Sequence, residues 1–132
     1  MSDAATDLPP GAQLLGREWL GFDERGETAL IRYQAQPSFT NRHGTVQGGF
    51  LAAMLDSATG ICALTALPPN LTVLTRSLDT RFLRPASVGP ITARARIVAH
   101  TDREMIVEAT LVDTQGVTVA EATARLRVLQ KK

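Results

Sequence analysis

One run of apolar residues dominates the chain and limits the folds open to it. Residues Phe50 to Leu67 are nearly all hydrophobic or small, and Pro68 and Pro69 follow directly. Because proline cannot continue a helix, the run predicts one long helix that stops at this point. A helix that is hydrophobic on every side is expected to be enclosed by other structure. The sequence therefore predicts a helix buried at the centre of the fold.

Length and charge exclude several other arrangements. With 132 residues the chain is sized for one domain, which we expect to span 1–132 with residues 1–12 as a flexible tail. The 14 basic and 13 acidic residues are dispersed, which argues against a nucleic-acid partner. The apolar run carries a charge near its centre and is cut short by Pro68, so we expect no membrane partner.

The single cysteine, Cys62, lies inside the apolar run. One thiol excludes an intrachain disulfide, and one thiol with two histidines is too few for a zinc site of known spacing. The N-terminal residues lack the basic start and hydrophobic core of a secretory signal. We therefore expect a reducing, cytoplasmic setting and no metal.

The residues after Leu71 follow the two-residue period of half-buried strands. Alternate positions are apolar in three segments, which begin at Ile91, Met105 and Ala120. Short turn-forming stretches separate these segments, and short connections imply antiparallel hairpins. With one earlier strand at 27–34, the pattern predicts an α+β fold, in which a four-strand meander curves around the helix.

A lone carboxylate interrupts the apolar run. Asp56 is the only obligate charge between Arg42 and Arg76. Burying an ionised carboxylate costs several kcal/mol, roughly a third or more of the net stability of many small domains, so something must use it or pair with it. A structural alternative is an ion pair with Arg76 or Arg81.

The sequence around Asp56 resembles a known signature. Residues 41–58, Asn-Arg-His-Gly-Thr-Val-Gln-Gly-Gly-Phe-Leu-Ala-Ala-Met-Leu-Asp-Ser-Ala, are similar to the signature of hotdog-fold thioesterases, especially the phenylacetyl-CoA thioesterase (PaaI)-like branch. Further similarities lie at 81–85, Gly89 and 113–116. The resemblance implies the hotdog fold, a curved antiparallel sheet wrapped around one long central helix, and hydrolysis of an acyl-CoA thioester.

The resemblance also implies roles for particular residues. Asp56 would be the general base or nucleophile. Asn41 would hydrogen-bond near the thioester carbonyl, and the Thr75 hydroxyl would help to position the attacking water. Independently, the amides of Gly48 and Gly49 at the helix start suit an oxyanion, because helix N-termini carry partial positive charge. At Gln47 the chain departs from the family's usual histidine, although an amide can also donate to a thioester carbonyl.

The spacing of these groups predicts an oligomer. Asp56 follows Gly48 by about 12 Å along a helix at roughly 1.5 Å per residue, too far for both to act on one carbon. If both are catalytic, the second subunit of a homodimer must supply one of them. By resemblance, dimers are expected to pair into a homotetramer.

Other residues are candidates for binding the substrate. His43 could touch it, although a loop histidine is more often scaffolding. Phe50, Leu51 and Met54 could shape a pocket for an aromatic or medium-chain acyl group. Arginine forks at Arg81, Arg84 and Arg103 could bind the phosphates of coenzyme A, or they could simply be solvated. Coenzyme A is part of the substrate, and no separate cofactor is expected.

Two alternatives stay open at this point. A non-catalytic acyl-CoA-binding hotdog domain would keep the cleft but lack a productive carboxylate, and Asp56 argues against it. A dehydratase or hydratase of the same fold needs a histidine–carboxylate pair, whereas neither His43 nor His100 lies in the predicted helix.

Overall fold

Six strands form one antiparallel sheet, and one long helix packs against a single face of it. The structure, a computed structural model, describes residues 5–132. In chain order the elements are α1 (Pro10–Leu14), β1 (Glu18–Phe22), β2 (Ala29–Ala35), a 3-10 turn (Pro37–Phe39), α2 (Gly48–Thr65), β3 (Leu71–Phe82), β4 (Gly89–His100), β5 (Glu104–Val112) and β6 (Thr118–Gln130). The predicted α+β hotdog architecture is confirmed.

The order of strands in the sheet differs from the predicted meander. It runs β1-β2-β4-β5-β6-β3, so β3 pairs with β6 at one edge rather than with β4. The hairpins β4–β5 and β5–β6 are present as predicted. The connection 83–88 instead passes beside the start of α2, where the Val46 amide donates to the Ala86 carbonyl at 2.8 Å. A short connection therefore does not guarantee a hairpin.

The N-terminal region is more structured than the expected flexible tail. Ala5 and Ala12 are buried, and residues 10–14 form α1, which starts at a proline suited to the first turn of a helix. Residues 1–4 of the expected tail lie outside the described residues. The edge strand β1, which was not predicted, pairs with β2. Its Gly21 has a positive φ and adjoins an irregularity in the register, which weakens the strand signal.

The alternation in the C-terminal strands is confirmed. Ile91, Ala93 and Ala95 point into the core, whereas Arg94 and Arg96 are exposed on the other face. The same pattern holds along β5 and β6, whose inward side chains pack under α2. The apolar side of the sheet therefore forms the floor on which the helix lies.

The prediction that α2 is enclosed on all sides is wrong for the single chain. Only eight of its 18 residues are buried, and Gly49, Ala53 and Asp56 are exposed along one side. The sheet is open and covers one face of the helix, and the uncovered face is built mainly from small residues, which gain little from burial. By length and composition α2 could cross a membrane, but its packing against the sheet is that of a core helix.

Candidate active site

Asp56 lies on the open face of α2, beside strand β3. The Thr75 hydroxyl donates a hydrogen bond to Oδ1 of Asp56 at 2.9 Å. The helix and the inward side of β3 thus bring together two residues that are 19 positions apart in the sequence. We call the surrounding space of about 460 Å³ the Asp56 cleft, and its lining residues are Ala52, Ala53, Asp56, Thr75, Arg76, Ser77 and Leu78.

The alternative reading, in which Asp56 is a structural ion-pair partner, finds no support. Within residues 5–132 the ion pairs are Arg32–Glu18, Arg96–Glu108 and Arg125–Glu104. Neither Arg76 nor Arg81 pairs with the Asp56 carboxylate. Oδ2 of Asp56 has no hydrogen-bond donor in the described part of the chain. The carboxylate therefore faces solvent with one oxygen free.

The two glycines predicted to bind an oxyanion form the first turn of α2. Gln47 is the N-cap residue, and its side chain makes no capping hydrogen bond. The Gly48 and Gly49 amides have no acceptor in the part of the chain described. The first amide of the turn that forms a hydrogen bond is that of Phe50, which donates to the Gln47 carbonyl at 3.0 Å. These two donors are therefore available to an external oxygen.

The surroundings of the two glycines differ. A Cβ atom at Gly49 would meet nothing within 4 Å, so that amide is open to approach. A Cβ atom at Gly48 would lie 3.2 Å from the Phe82 ring. Glycine at position 48 thus lets the end of β3 pack closely against the start of the helix.

The loop before the helix is held by Asn41. Its Oδ1 accepts from the amides of His43 and Thr45, and its Nδ2 donates to the Thr45 hydroxyl at 3.1 Å. Gly44 has a φ of 78°, a conformation that a side chain would disfavour. Asn41 therefore organises the loop through its side chain, and one N–H of its Nδ2 has no acceptor in the described part of the chain.

A second cleft lies at the helix start. It encloses about 390 Å³. We call it the Gly48 cleft, and its lining residues are Asn41, Thr45, Val46, Gly48, Leu51, Phe82, Leu83, Arg84, Pro85 and Ala86. It shares no residue with the Asp56 cleft. One chain therefore places the carboxylate and the Gly48 amide in separate clefts.

Several predicted site residues lie outside these clefts. Met54 is fully buried in the core, and Phe50 is half-buried with its ring stacked on Phe39 at a centroid distance of 4.2 Å. Gln47 and His43 are exposed near the Gly48 cleft. In this chain Phe50 and Met54 serve the packing of the helix, because their side chains point at the sheet and the preceding loop.

The three predicted arginines are widely separated. Arg84 lines the Gly48 cleft. Arg81 lies on the sheet face opposite the helix, among exposed charges of β4, β5 and β6. Arg103 lies in the β4–β5 turn, where its amide donates to the Thr101 hydroxyl. Of the three, only Arg84 is placed near a candidate site group.

The sequence patterns missed a partly buried polar cluster beneath the open face. The Ser57 hydroxyl accepts from Arg17 at 3.2 Å and from the Tyr33 hydroxyl at 2.9 Å. Burial raises the pKa of Tyr33, so it stays neutral.

Burial also raises the pKa of Cys62 to about 11, which makes it an unreactive core thiol. Among residues 5–132 no group of three or more His, Cys, Asp or Glu side chains could hold a metal ion.

Comparison with known proteins decides the family. The family model described as the thioesterase superfamily matches residues 43–120, which include both glycines, Asp56 and Thr75. The chain belongs to the thioesterase superfamily. As a member, it is a thioester hydrolase, and the predicted family is confirmed.

Relatives of this thioesterase agree with the assignment. A candidate esterase of Saccharolobus solfataricus is 28% identical over 109 residues, covering 83% of this chain and 76% of the relative. A candidate thioesterase of Ralstonia eutropha JMP134, related to phenylacetic acid degradation, is 33% identical to this chain. The match covers 92% of this chain and 91% of that protein, and the two superpose with a TM-score of 0.86. A Bacillus halodurans protein solved with CoA is 30% identical, with coverage of 76% and 66% and a TM-score of 0.73.

Proposed function

We propose that this thioesterase hydrolyses acyl-CoA substrates with an aromatic or medium-chain acyl group, and that Asp56 is its catalytic carboxylate. The observation that carries the proposal is the Thr75–Asp56 hydrogen bond in an open cleft. A carboxylate held by one hydroxyl, with no cation paired to it, is free to accept a proton. The relative solved with CoA supports a CoA thioester as substrate.

The chemistry follows from the free oxygen of Asp56. Oδ2 removes a proton from a water molecule as the water oxygen bonds to the thioester carbon, and the carbonyl electrons move onto its oxygen. The Gly48 and Gly49 amides stabilise that oxyanion. Its collapse breaks the carbon–sulfur bond, and the thiolate takes the proton from Asp56 to give a carboxylic acid and free coenzyme A. Thr75 keeps the carboxylate oriented toward the water. Direct attack by Asp56, giving an anhydride that water then cleaves, uses the same residues.

We infer that two chains are needed to complete this site. Within one helix the Gly48 amide and the Asp56 carboxylate are about 12 Å apart, at roughly 1.5 Å per residue. They also line separate clefts. The open face of α2 and the unpaired edge strand β3 leave room for a second copy beside both groups. A homodimer with a two-fold axis would bring Gly48 of one chain to Asp56 of the other, twice.

Subunit complementation tests this arrangement. Asp56→Asn and Gly49→Val are expected to inactivate the enzyme when either is present alone. In a mixed dimer, one site would carry both changes and the other neither, so equimolar refolding should restore about a quarter of the wild-type activity. If Asp56 and Gly49 of the same chain formed the site, no mixture would recover activity.

A homotetramer could form through the outer face of the sheet. A groove of about 480 Å³ there is lined by charged residues of both signs. The basic ones are Arg81 on β3 and Arg94 and Arg96 on β4, and the acidic ones are Asp79 on β3, Glu108 on β5 and Glu121 on β6. Two copies related by a two-fold axis could place Arg94 and Arg96 of one opposite acidic groups of the other.

The lone buried Cys62 is consistent with a reducing, cytoplasmic setting.

A thiol-release assay separates hydrolysis from simple binding. Benzoyl-, phenylacetyl- and hexanoyl-CoA are incubated with the protein, and free coenzyme A is measured with a thiol reagent. Catalytic release that disappears in Asp56→Asn would support the proposal. Binding of these thioesters without release would indicate a non-catalytic acyl-CoA-binding domain instead.

A further inference from the structure

The edge strand β3 contains a β-bulge beside the Asp56 cleft. Thr75 pairs with Leu126 and Ser77 pairs with Arg125, so Arg76 is the extra residue and has no partner on β6. Leu126 faces the core and Arg125 faces outward, which places Thr75 inward and Ser77 outward. In a regular strand the residue after Thr75 would point away from the helix. The bulge interrupts this alternation at Arg76, which lines the same cleft as Thr75 and Asp56.

Arg76 is a free cation in that cleft. It forms no ion pair within 4.0 Å and no hydrogen bond with any residue from 5 to 132, although Asp56 lines the same space. By contrast, Arg32, Arg96 and Arg125 on the sheet each pair with a glutamate. The remaining lining residues of the cleft are uncharged. The cleft therefore offers a carboxylate for catalysis and an unpaired guanidinium for a ligand.

The chemistry of the substrate narrows what this guanidinium can bind. Arginine presents a planar fork of donors that matches a carboxylate or a phosphate. If Asp56 acts on the thioester carbon, a group that reaches Arg76 must lie close to that carbon, because both residues line one cleft. The phosphates of coenzyme A are held far from the thioester by the whole pantetheine arm. A carboxylate on the acyl group lies at the required end.

We propose that Arg76 binds a carboxylate on the acyl group, so that the enzyme prefers thioesters of dicarboxylic acids or of other acyl groups that carry an anion. This inference rests on the proposed function, because it assumes that the thioester is cleaved at Asp56. It adds a specificity residue that the sequence suggested only as a possible ion-pair partner of Asp56. The sequence signal was the run Thr75-Arg76-Ser77, in which three polar residues interrupt the alternation.

Matched thioesters test the proposal. Adipyl and hexanoyl groups have the same number of carbons and differ in one terminal carboxylate. Each is presented as the CoA thioester and as the N-acetylcysteamine thioester, which carries no phosphate. In Arg76→Gln, kcat/KM for both adipyl thioesters should fall about 10- to 100-fold, the loss expected for one hydrogen bond to a charged group. Both hexanoyl thioesters should change less than about 2-fold. Arg76→Lys, which keeps the charge but not the fork, should lose less than Arg76→Gln on the adipyl substrates.

A control variant and the other outcomes make the result decisive. Arg127→Gln removes an exposed arginine from the outer face of β6 and should leave all four rates unchanged. Loss confined to the two CoA thioesters would mean that Arg76 binds phosphate, and equal loss on all four would mean that it acts on Asp56 itself. Either result overturns the proposal. If the wild-type enzyme cleaves none of these four thioesters and no aromatic acyl-CoA, the proposed function is itself wrong.

Discussion

Replacing Asp56 with asparagine separates the role of the carboxylate in catalysis from its role in the fold. The side chain is exposed, makes no ion pair and accepts one hydrogen bond, from Thr75. The asparagine Oδ1 can accept the same bond, so the free energy of unfolding should change by less than about 0.5 kcal/mol. Loss of the proton acceptor should lower kcat by at least about 10²-fold, which is about 2.7 kcal/mol in the activation free energy.

The assay combines thiol release with thermal unfolding of the same preparations. Asp102→Asn is the matched control, because it removes an exposed aspartate from the β4–β5 turn, away from both clefts. It should leave kcat and the melting temperature unchanged. Hydrolysis by Asp56→Asn within a few-fold of wild type would refute the assignment of Asp56. A large drop in its melting temperature would show instead that the carboxylate holds the fold together.

Three further predictions use the same two assays. Thr75→Val removes the hydroxyl that orients Asp56 and should lower kcat about 5- to 10-fold, the effect of roughly 1–1.4 kcal/mol, with KM nearly constant; an unchanged kcat would mean that Thr75 has no role in positioning. Gly49→Ala should raise the melting temperature, because alanine favours the helix and its Cβ meets nothing within 4 Å. The same variant should lower kcat about 10-fold or more, because the methyl group crowds the amide. Unchanged turnover would argue against an oxyanion at this amide. Burial raises the pKa of Cys62 from 9.0 to about 11, so its stabilising contribution is present below pH 9 and is lost as the pH rises toward 11. The melting temperature of wild type should therefore fall more steeply over that range than that of Cys62→Ala, and parallel curves would contradict the raised pKa.

Much of the fold could be predicted because its signals are local. The alternation of apolar residues predicts β4, β5 and β6, and the proline pair predicts the end of the helix. Neither prediction needs information from the rest of the chain. The position of β3 could not be predicted in this way. It depends on where the connection 83–88 packs, and that is fixed by contacts with residues near Val46 rather than by its length. The edge strand β1 was missed because its burial is partial and Gly21 interrupts it.

Some residues of the candidate site could likewise be identified from the sequence, whereas others needed the structure. Gly48, Gly49 and Asp56 were identified because a helix start and a charge in an apolar run are visible in the sequence itself. Thr75 was placed by resemblance, and the structure puts its hydroxyl on Asp56. Arg76 needed the structure, because the polar run Thr75-Arg76-Ser77 is visible in the sequence but the bulge and the cleft beside Asp56 are not.

The exposure of Asp56 explains how a lone carboxylate is tolerated in an apolar run. On the open face of α2 the charge is hydrated, so folding of the single chain does not meet the desolvation cost that the sequence implied. That cost arises only when a substrate or a second copy covers the face. Gly49, Ala53 and Asp56 lie along one side of the helix at spacings of four and three residues, so a surface that covers one of them covers all three. Such a surface would therefore displace water from the carboxylate and from the Gly49 amide together.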